Sequence, residues 1–192
     1  MQSNNTIDVH AGYFQIQDQL SLDYRPTEAP TAQATEETSP LFGLLGELHL
    51  LEHDAQPLLR QIGERDRTIA AYLKILSKRI ELIGRALALQ LTDDMGTTVP
   101  VILSEAGLSF TTDMPLPIGS WLALRLLLPT PIGLSAPVQV ADCRPASSFG
   151  DYLIQVSFER FTEAQRQLLA RHIMQKQAQD IRAAKDNERI SP

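Results

Sequence analysis

The chain has 192 residues, 43% apolar and 21% charged, with 17 Lys and Arg against 23 Asp and Glu for a net charge of −6. That is enough for one domain with a real core plus an appendage, and two full domains would be cramped. The acidic balance disfavours free binding to nucleic acid or an acidic membrane, and the single cysteine, Cys143, excludes an intrachain disulfide and a cysteine-rich metal site.

No apolar run approaches the roughly 18 residues of a membrane span; Trp121 to Leu128 is short and interrupted by Arg125. The first residues show neither a basic start nor an apolar stretch behind it, so the expected location is cytoplasmic, without membrane insertion.

Residues 13 to 24 place Phe14, Ile16, Leu20, Leu22 and Tyr24 on alternate positions, the pattern of a half-buried strand, so residues 1–25 are read as the first strand of the domain. Residues 26–40, rich in Pro, Thr, Ala and Glu, predict a solvated linker.

Residues 41–92 then take a helical period. A short helix is expected from Leu41 to Asp54, followed by a long one from Pro57 to about Leu91, with Pro57 in the first turn, where a proline sacrifices no intrahelical donor. Leu59, Leu73, Ile80 and Leu87 at a positions, with Ile62, Ile69, Leu76 and Ile83 at d, form a heptad seam long enough for a coiled coil. Asp66 occupies an a position, where it either fixes the register or marks where the seam opens.

Ile75, Leu82 and Leu89 add a stripe at c, while Gly63, Ala70, Ser77 and Gly84 keep the e flank small. An interface of that width suits more than two helices, or a helix that also docks on its own domain. Leu at a with Ile at d favours trimers or tetramers, and a homotetramer is the expected assembly. The competing reading is a helix that folds back and buries this face within its own chain.

Residues 97–186 return to strands, at Thr98–Leu103, Leu108–Thr112, Trp121–Leu128, Val138–Arg144 and Tyr152–Phe158, separated by Gly- and Pro-bearing turns. Six short strands at steady spacing predict a small barrel or sandwich, with the helical segment inserted after the first strand. Thr162-Glu-Ala-Gln165 has the form of a capping box opening a C-terminal helix, whose face Leu168, Leu169, His172 and Ile173 should lie on the barrel. Residues 187–192 are expected to fray.

The segment Ile102-Leu-Ser-Glu-Ala-Gly-Leu-Ser-Phe110, followed by a Pro-Gly turn and Trp121–Leu128, resembles the PilZ domain. The resemblance implies a fold that is mainly β with long helices: a six-stranded barrel with an inserted heptad-repeat coiled-coil helix and a C-terminal helix, as in the atypical, tetrameric branch of that family. PilZ domains typically bind the bacterial second messenger cyclic di-GMP through an Arg-x-x-x-Arg motif before the first strand and an Asp/Asn-x-Ser-x-x-Gly box.

Here Ala11 and Gln15 stand at the arginine positions, no two arginines in the chain are four apart, and the box survives as Ile102, Ser104 and Gly107. Without an arginine fork for the phosphates, about 1.5 to 3 kcal/mol per charge-assisted hydrogen bond is lost. The resemblance therefore implies a non-enzymatic signalling adaptor in motility or virulence pathways, with no cofactor, no usual cyclic di-GMP binding, and signalling proteins as partners. The alternative is a divergent cyclic di-GMP receptor using a pocket around Ser104 and Gly107.

His49-Leu-Leu-Glu52-His53 matches an inverted zinc-protease pattern and raises a remote hydrolase reading, but five residues outside a protease fold read first as surface histidines. The basic residues between Arg60 and Arg85 cover the faces that a coiled coil leaves solvated, so a nucleic-acid stripe is not expected. His10 and His172 stand alone in the sequence, the first expected to be solvated and the second on a helix face.

Overall fold

The structure is a computed structural model and describes residues 8–28, 40–95, 98–129, 132–146 and 150–190. Its strands are β1 (Ile16–Thr27), β2 (Val99–Leu103), β3 (Gly107–Thr112), β4 (Trp121–Leu128), β5 (Ile132–Pro145) and β6 (Tyr152–Ser157). The helices are α1 (Pro40–Arg65) and α2 (Arg67–Met95), both between β1 and β2, and α3 (Glu163–Ile190) after the last strand.

The six strands close into an antiparallel barrel in the order β1-β2-β3-β6-β5-β4. β1 closes it by pairing twice: Ile16 to Leu20 face Leu103 to Val99 of β2, and Ser21 to Thr27 face Leu127 to Trp121 of β4. Alternation along the strands fills the interior. Leu20, Leu103, Phe110, Leu122, Leu124, Leu126, Val138, Val140, Ile154 and Val156 are all buried there.

β1 starts and ends three residues later than its alternation suggested. Phe14 lies ahead of the strand and is exposed, whereas Pro26 pairs with Leu122 inside the sheet. The expected linker therefore begins later, and its residues 29–39 lie outside the described residues. β5 begins at Ile132, inside the stretch expected to be a turn, because Ile132 and Gly133 pair with Leu128 and Leu127 of β4; Gly133 also lets α1 approach the strand backbone, since a Cβ there would lie 2.9 Å from the Phe42 carbonyl oxygen.

The helical insertion departs from the expected short helix to Asp54 followed by a long one from Pro57. α1 runs straight through Pro57, and the chain reverses at Asp66. Asp66 ends one helix and starts the next. Its N–H donates to the Ile62 carbonyl at 2.7 Å and its carbonyl accepts from Ala70 N–H at 3.1 Å, while its Oδ1 accepts from the N–H groups of Thr68 (2.8 Å) and Ile69 (3.0 Å). This is N-cap chemistry, which a proline cannot supply. Leu59 and Ile62 thus belong to α1 and Ile69 onward to α2, and the one continuous seam of four heptads is not formed. Asp66→Ala is expected to cost about 0.5–2 kcal/mol, read as a lower midpoint in urea unfolding.

α1 and α2 pack antiparallel through the small flank of α2. A Cβ on Gly84 would come within 3.0 Å of the Leu48 side chain, and Ala70 and Ala88 are buried. At the base of this hairpin Phe42, Leu45, Ala88, Leu91 and Met95 cluster with Leu127, which points out of the barrel from β4. Arg125, also outward on β4, donates from Nε to Asp23 Oδ2 at 2.9 Å and lies 5.7 Å from the centroid of the Phe42 ring. The charge that interrupts the apolar strand therefore joins β1, β4 and α1.

α3 opens with the expected capping box. Thr162 N–H donates to Gln165 Oε1 at 2.9 Å and Gln165 N–H donates to Thr162 Oγ1 at 3.2 Å. Leu168, Leu169 and Ile173 are buried in the barrel cluster, and His172 Nε2 meets Asp18 Oδ2 of β1 at 2.8 Å. The helix reaches Ile190, and 191–192, the end of the stretch expected to fray, lie outside the described residues.

Candidate functional site

Ser104-Glu-Ala-Gly107 is the turn between β2 and β3, closed by Ser104 N–H donating to the Gly107 carbonyl at 3.0 Å. Ser104 Oγ accepts from the N–H groups of Ala106 and Gly107, each at 3.3 Å, so the serine serves its own turn. Gly107 is required by close packing: a Cβ there would lie 2.2 Å from the Val156 carbonyl oxygen of β6 and 3.0 Å from the Val9 side chain. Ile102 sits between Gln17 and Ser109 across the sheet, so its side chain shares the outer face with Ser109.

The structure brings Ser104 and Gly107 together and leaves Ala11 and Gln15 exposed to solvent. What reaches the turn instead is His10, only 3% exposed. Its Nδ1 lies 2.8 Å from Ser104 Oγ and its Nε2 lies 2.7 Å from Ser109 Oγ. Burial pushes the imidazole below its ordinary value of 6.5, and Asp8 only partly opposes this. The expected solvated His10 is corrected accordingly. The two serines lie 94 and 99 residues away, so no spacing in the sequence announces the contact.

A second candidate surface is the hairpin. Of the predicted seam residues, Ile69, Ile80 and Ile83 are 51%, 48% and 70% exposed, while Leu59, Ile62, Leu73, Leu76 and Leu87 are half-buried. The seam lies about a quarter turn around α2 from the small flank that packs on α1. Leu44, Leu51 and Leu58 of α1 are also exposed, and antiparallel helical periodicity puts them on the same side of the hairpin as the seam. The fold-back thus occurs, mainly through the e flank, half-buries five of the eight seam residues and leaves Ile69, Ile80 and Ile83 uncovered.

His49, Glu52 and His53 line a cleft of about 280 Å³ between the three helices, with Glu81, Arg85 and Arg171. His49 Nδ1 stands 4.0 Å from Glu52 Oε2. Burial lowers the pKa of His49 first of all, with Glu52 opposing and the Arg171 guanidinium and His53 adding to the fall. Glu81 is taken by Lys78 and Arg85. Among the described residues no group of three or more His, Cys, Asp or Glu could hold a metal ion. Cys143 lies half-buried in β5 opposite Ile154.

The barrel is closed by six strands, with a serine-glycine turn between its second and third strands and a helix laid on it after the last. A family model described as the PilZ domain matches residues 77–175, just over half of the chain, and the chain belongs to the PilZ domain family, which serves cyclic di-GMP-type signalling. β1, which completes the barrel, falls outside that match. The structure is similar to that of a pathogenic protein from Xanthomonas campestris, described as a new tetrameric PilZ domain self-assembled via an unusual helical bundle. The two are 20% identical, with a TM-score of 0.56 over 89% of this chain and 92% of that one, which establishes a common fold. No curated protein matches this sequence significantly. Among the described residues no helix is long and apolar enough to cross a membrane.

Proposed function

We propose that this chain is a self-assembling signalling adaptor: copies associate through the exposed apolar face of the hairpin, four at a time, and the barrels present surfaces to partner proteins. The observation that carries this reading is the division of labour around α2. Its small flank is used within the chain, while Ile69, Ile80 and Ile83 of the seam stand in water, where a single chain gains nothing by exposing them. The tetrameric assembly of the Xanthomonas campestris protein through a helical bundle supports the same count.

The barrel is not a receptor of the usual kind. The arginine positions hold Ala11 and Gln15, Ile102 replaces the acid or amide of the box, and the remaining serine is engaged by its own turn and by His10. Light scattering on the intact chain is expected to give four chain masses, and calorimetric titration with cyclic di-GMP is expected to show no micromolar binding. A single-chain mass in dilute solution would remove the assembly reading. Micromolar or tighter binding would restore the divergent-receptor alternative.

A further inference from the structure

Two apolar stripes of the hairpin are left over once the seam and the small flank are assigned. Leu44, Leu51 and Leu58 run along α1 and Ile75, Leu82 and Leu89 along α2, each set spaced by seven and each side chain more than half exposed. The α1 stripe points to the same side of the hairpin as the seam. The α2 stripe lies about a third of a turn round its helix from the seam, on the flank turned away from α1. The side of the hairpin opposite the seam is polar, where His49, Glu52, Glu81 and Arg85 line the cleft.

The packing of α1 on α2 fixes the heights of these residues. Gly84 lies against Leu48 and Gly63 against Ala70, so the two helices run past each other in one antiparallel register. Counting from those contacts, Leu44 stands level with Leu89, Leu51 with Leu82 and Leu58 with Ile75, each to within about one residue, or about 1.5 Å. Because both stripes repeat every seven, a match at one level is a match at all three. Within one chain the two members of a level face different ways across the width of the hairpin and do not touch.

We infer that in the assembly the α1 stripe of each copy packs on the α2 stripe of the next, with the copies parallel and in the same register. The inference rests on the self-assembly proposed above and adds to it the orientation of the copies and a second contact besides the seam. Rotation about an axis along the hairpin keeps every residue at its own height, so Leu44, Leu51 and Leu58 meet the next copy at Leu89, Leu82 and Ile75, rung for rung. A second copy of this chain is thus the occupant of each stripe, since it brings the complementary stripe at the right spacing and the right height.

The contact joins two different stripes, so it runs head to tail and closes as a ring under that rotation. The seam lies on the side that the α1 stripe faces and turns toward the axis of the ring, while the polar cleft turns outward to water. All the barrels then stand at one end.

Disulfide trapping on the full chain, with Cys143→Ala as background, tests this. Leu51→Cys with Leu82→Cys, mildly oxidised, is expected to give a ladder of up to four chain masses on a non-reducing gel. Within one chain these two positions face apart across the hairpin, beyond the Cα separation of about 7 Å that a disulfide spans. Leu44→Cys with Ile75→Cys, about 20 Å apart in height, is expected to stay as single chains. A ladder from the second pair in place of the first would mean antiparallel copies and overturn the inference. Linked chains in equal yield from Leu51→Cys or Leu82→Cys alone would also overturn it, because each stripe would then meet itself.

Light scattering on the same samples separates this inference from the reading beneath it. Four chain masses without the ladder leave the assembly standing and overturn the contact; a single-chain mass for the unmodified protein removes both. A charge pair gives an independent readout. Leu82→Glu is expected to weaken the assembly by about tenfold or more in concentration, adding Leu51→Lys on the facing level should recover it, and adding Leu44→Lys, one level away, should not. Equal recovery by the two lysines, or none by either, would refute the pairing.

Discussion

Lysine at both Ile80 and Ile83 is expected to reduce the assembly to single chains and leave the barrel folded. In one copy these side chains are 48% and 70% exposed, so the monomer should change by no more than about 0.5 kcal/mol. In the proposed interface, burying a whole isoleucine is worth about 1.5–3 kcal/mol, of which only the exposed fraction remains to be gained between copies. The two together therefore remove about 2–3.5 kcal/mol per chain, or roughly one to two and a half decades in the dissociation constant, before the added cost of burying an ammonium. Light scattering reads the mass and thermal melting reads the fold. An undiminished mass would show that the hairpin face is not the interface.

The second large effect is expected at the joint between hairpin and barrel. Phe42 is fully buried, and its ring and backbone rest on β5 where Gly133 removes the side chain that would block them. Its ring also meets the Arg125 guanidinium, itself tied to Asp23. Phe42→Ala is expected to destabilise the chain by about 3–5 kcal/mol, seen as a lower midpoint in guanidinium unfolding. Gly133→Ala attacks the same contact by overpacking and should cost about 1–3 kcal/mol.

Combined, the two changes should cost less than their sum, because the new methyl occupies part of the space that the ring leaves; a coupling of about 1 kcal/mol is expected. Strict additivity would mean that Phe42 and Gly133 do not share one contact. A loss below about 1 kcal/mol for Phe42→Ala would mean that the hairpin is not anchored there.

These expectations show which parts of the molecule were legible in the residues. Strand alternation and turn spacing found all six strands because side chains of a closed barrel must alternate between core and outside, and that period is written locally. The capping box at Thr162 was equally local, its two bonds spanning three residues. That no two arginines stand four apart was likewise plain from the residues. The end of β1 was misplaced because Pro26 reads as a breaker, and only its neighbour β4 makes it part of a sheet.

The hairpin was misread for a related reason. A heptad pattern states which side of a helix is apolar without stating whether the helix continues, and Asp66 at an a position was compatible with either outcome. Two backbone N–H groups bound to its carboxylate, together with the close approach that Gly84 allows to Leu48, decide for reversal.

By itself, then, the sequence determined the barrel, the apolar face on α2 and the absence of an arginine fork, since each follows from periodicity or from residue type. The tertiary structure decided that α2 packs on α1 by its small flank and leaves Ile69, Ile80 and Ile83 of the seam in water. It alone also decided that His10 meets Ser104 and Ser109. Both are contacts between residues far apart in the chain, fixed by barrel closure and helix packing, and no local pattern encodes such a distance.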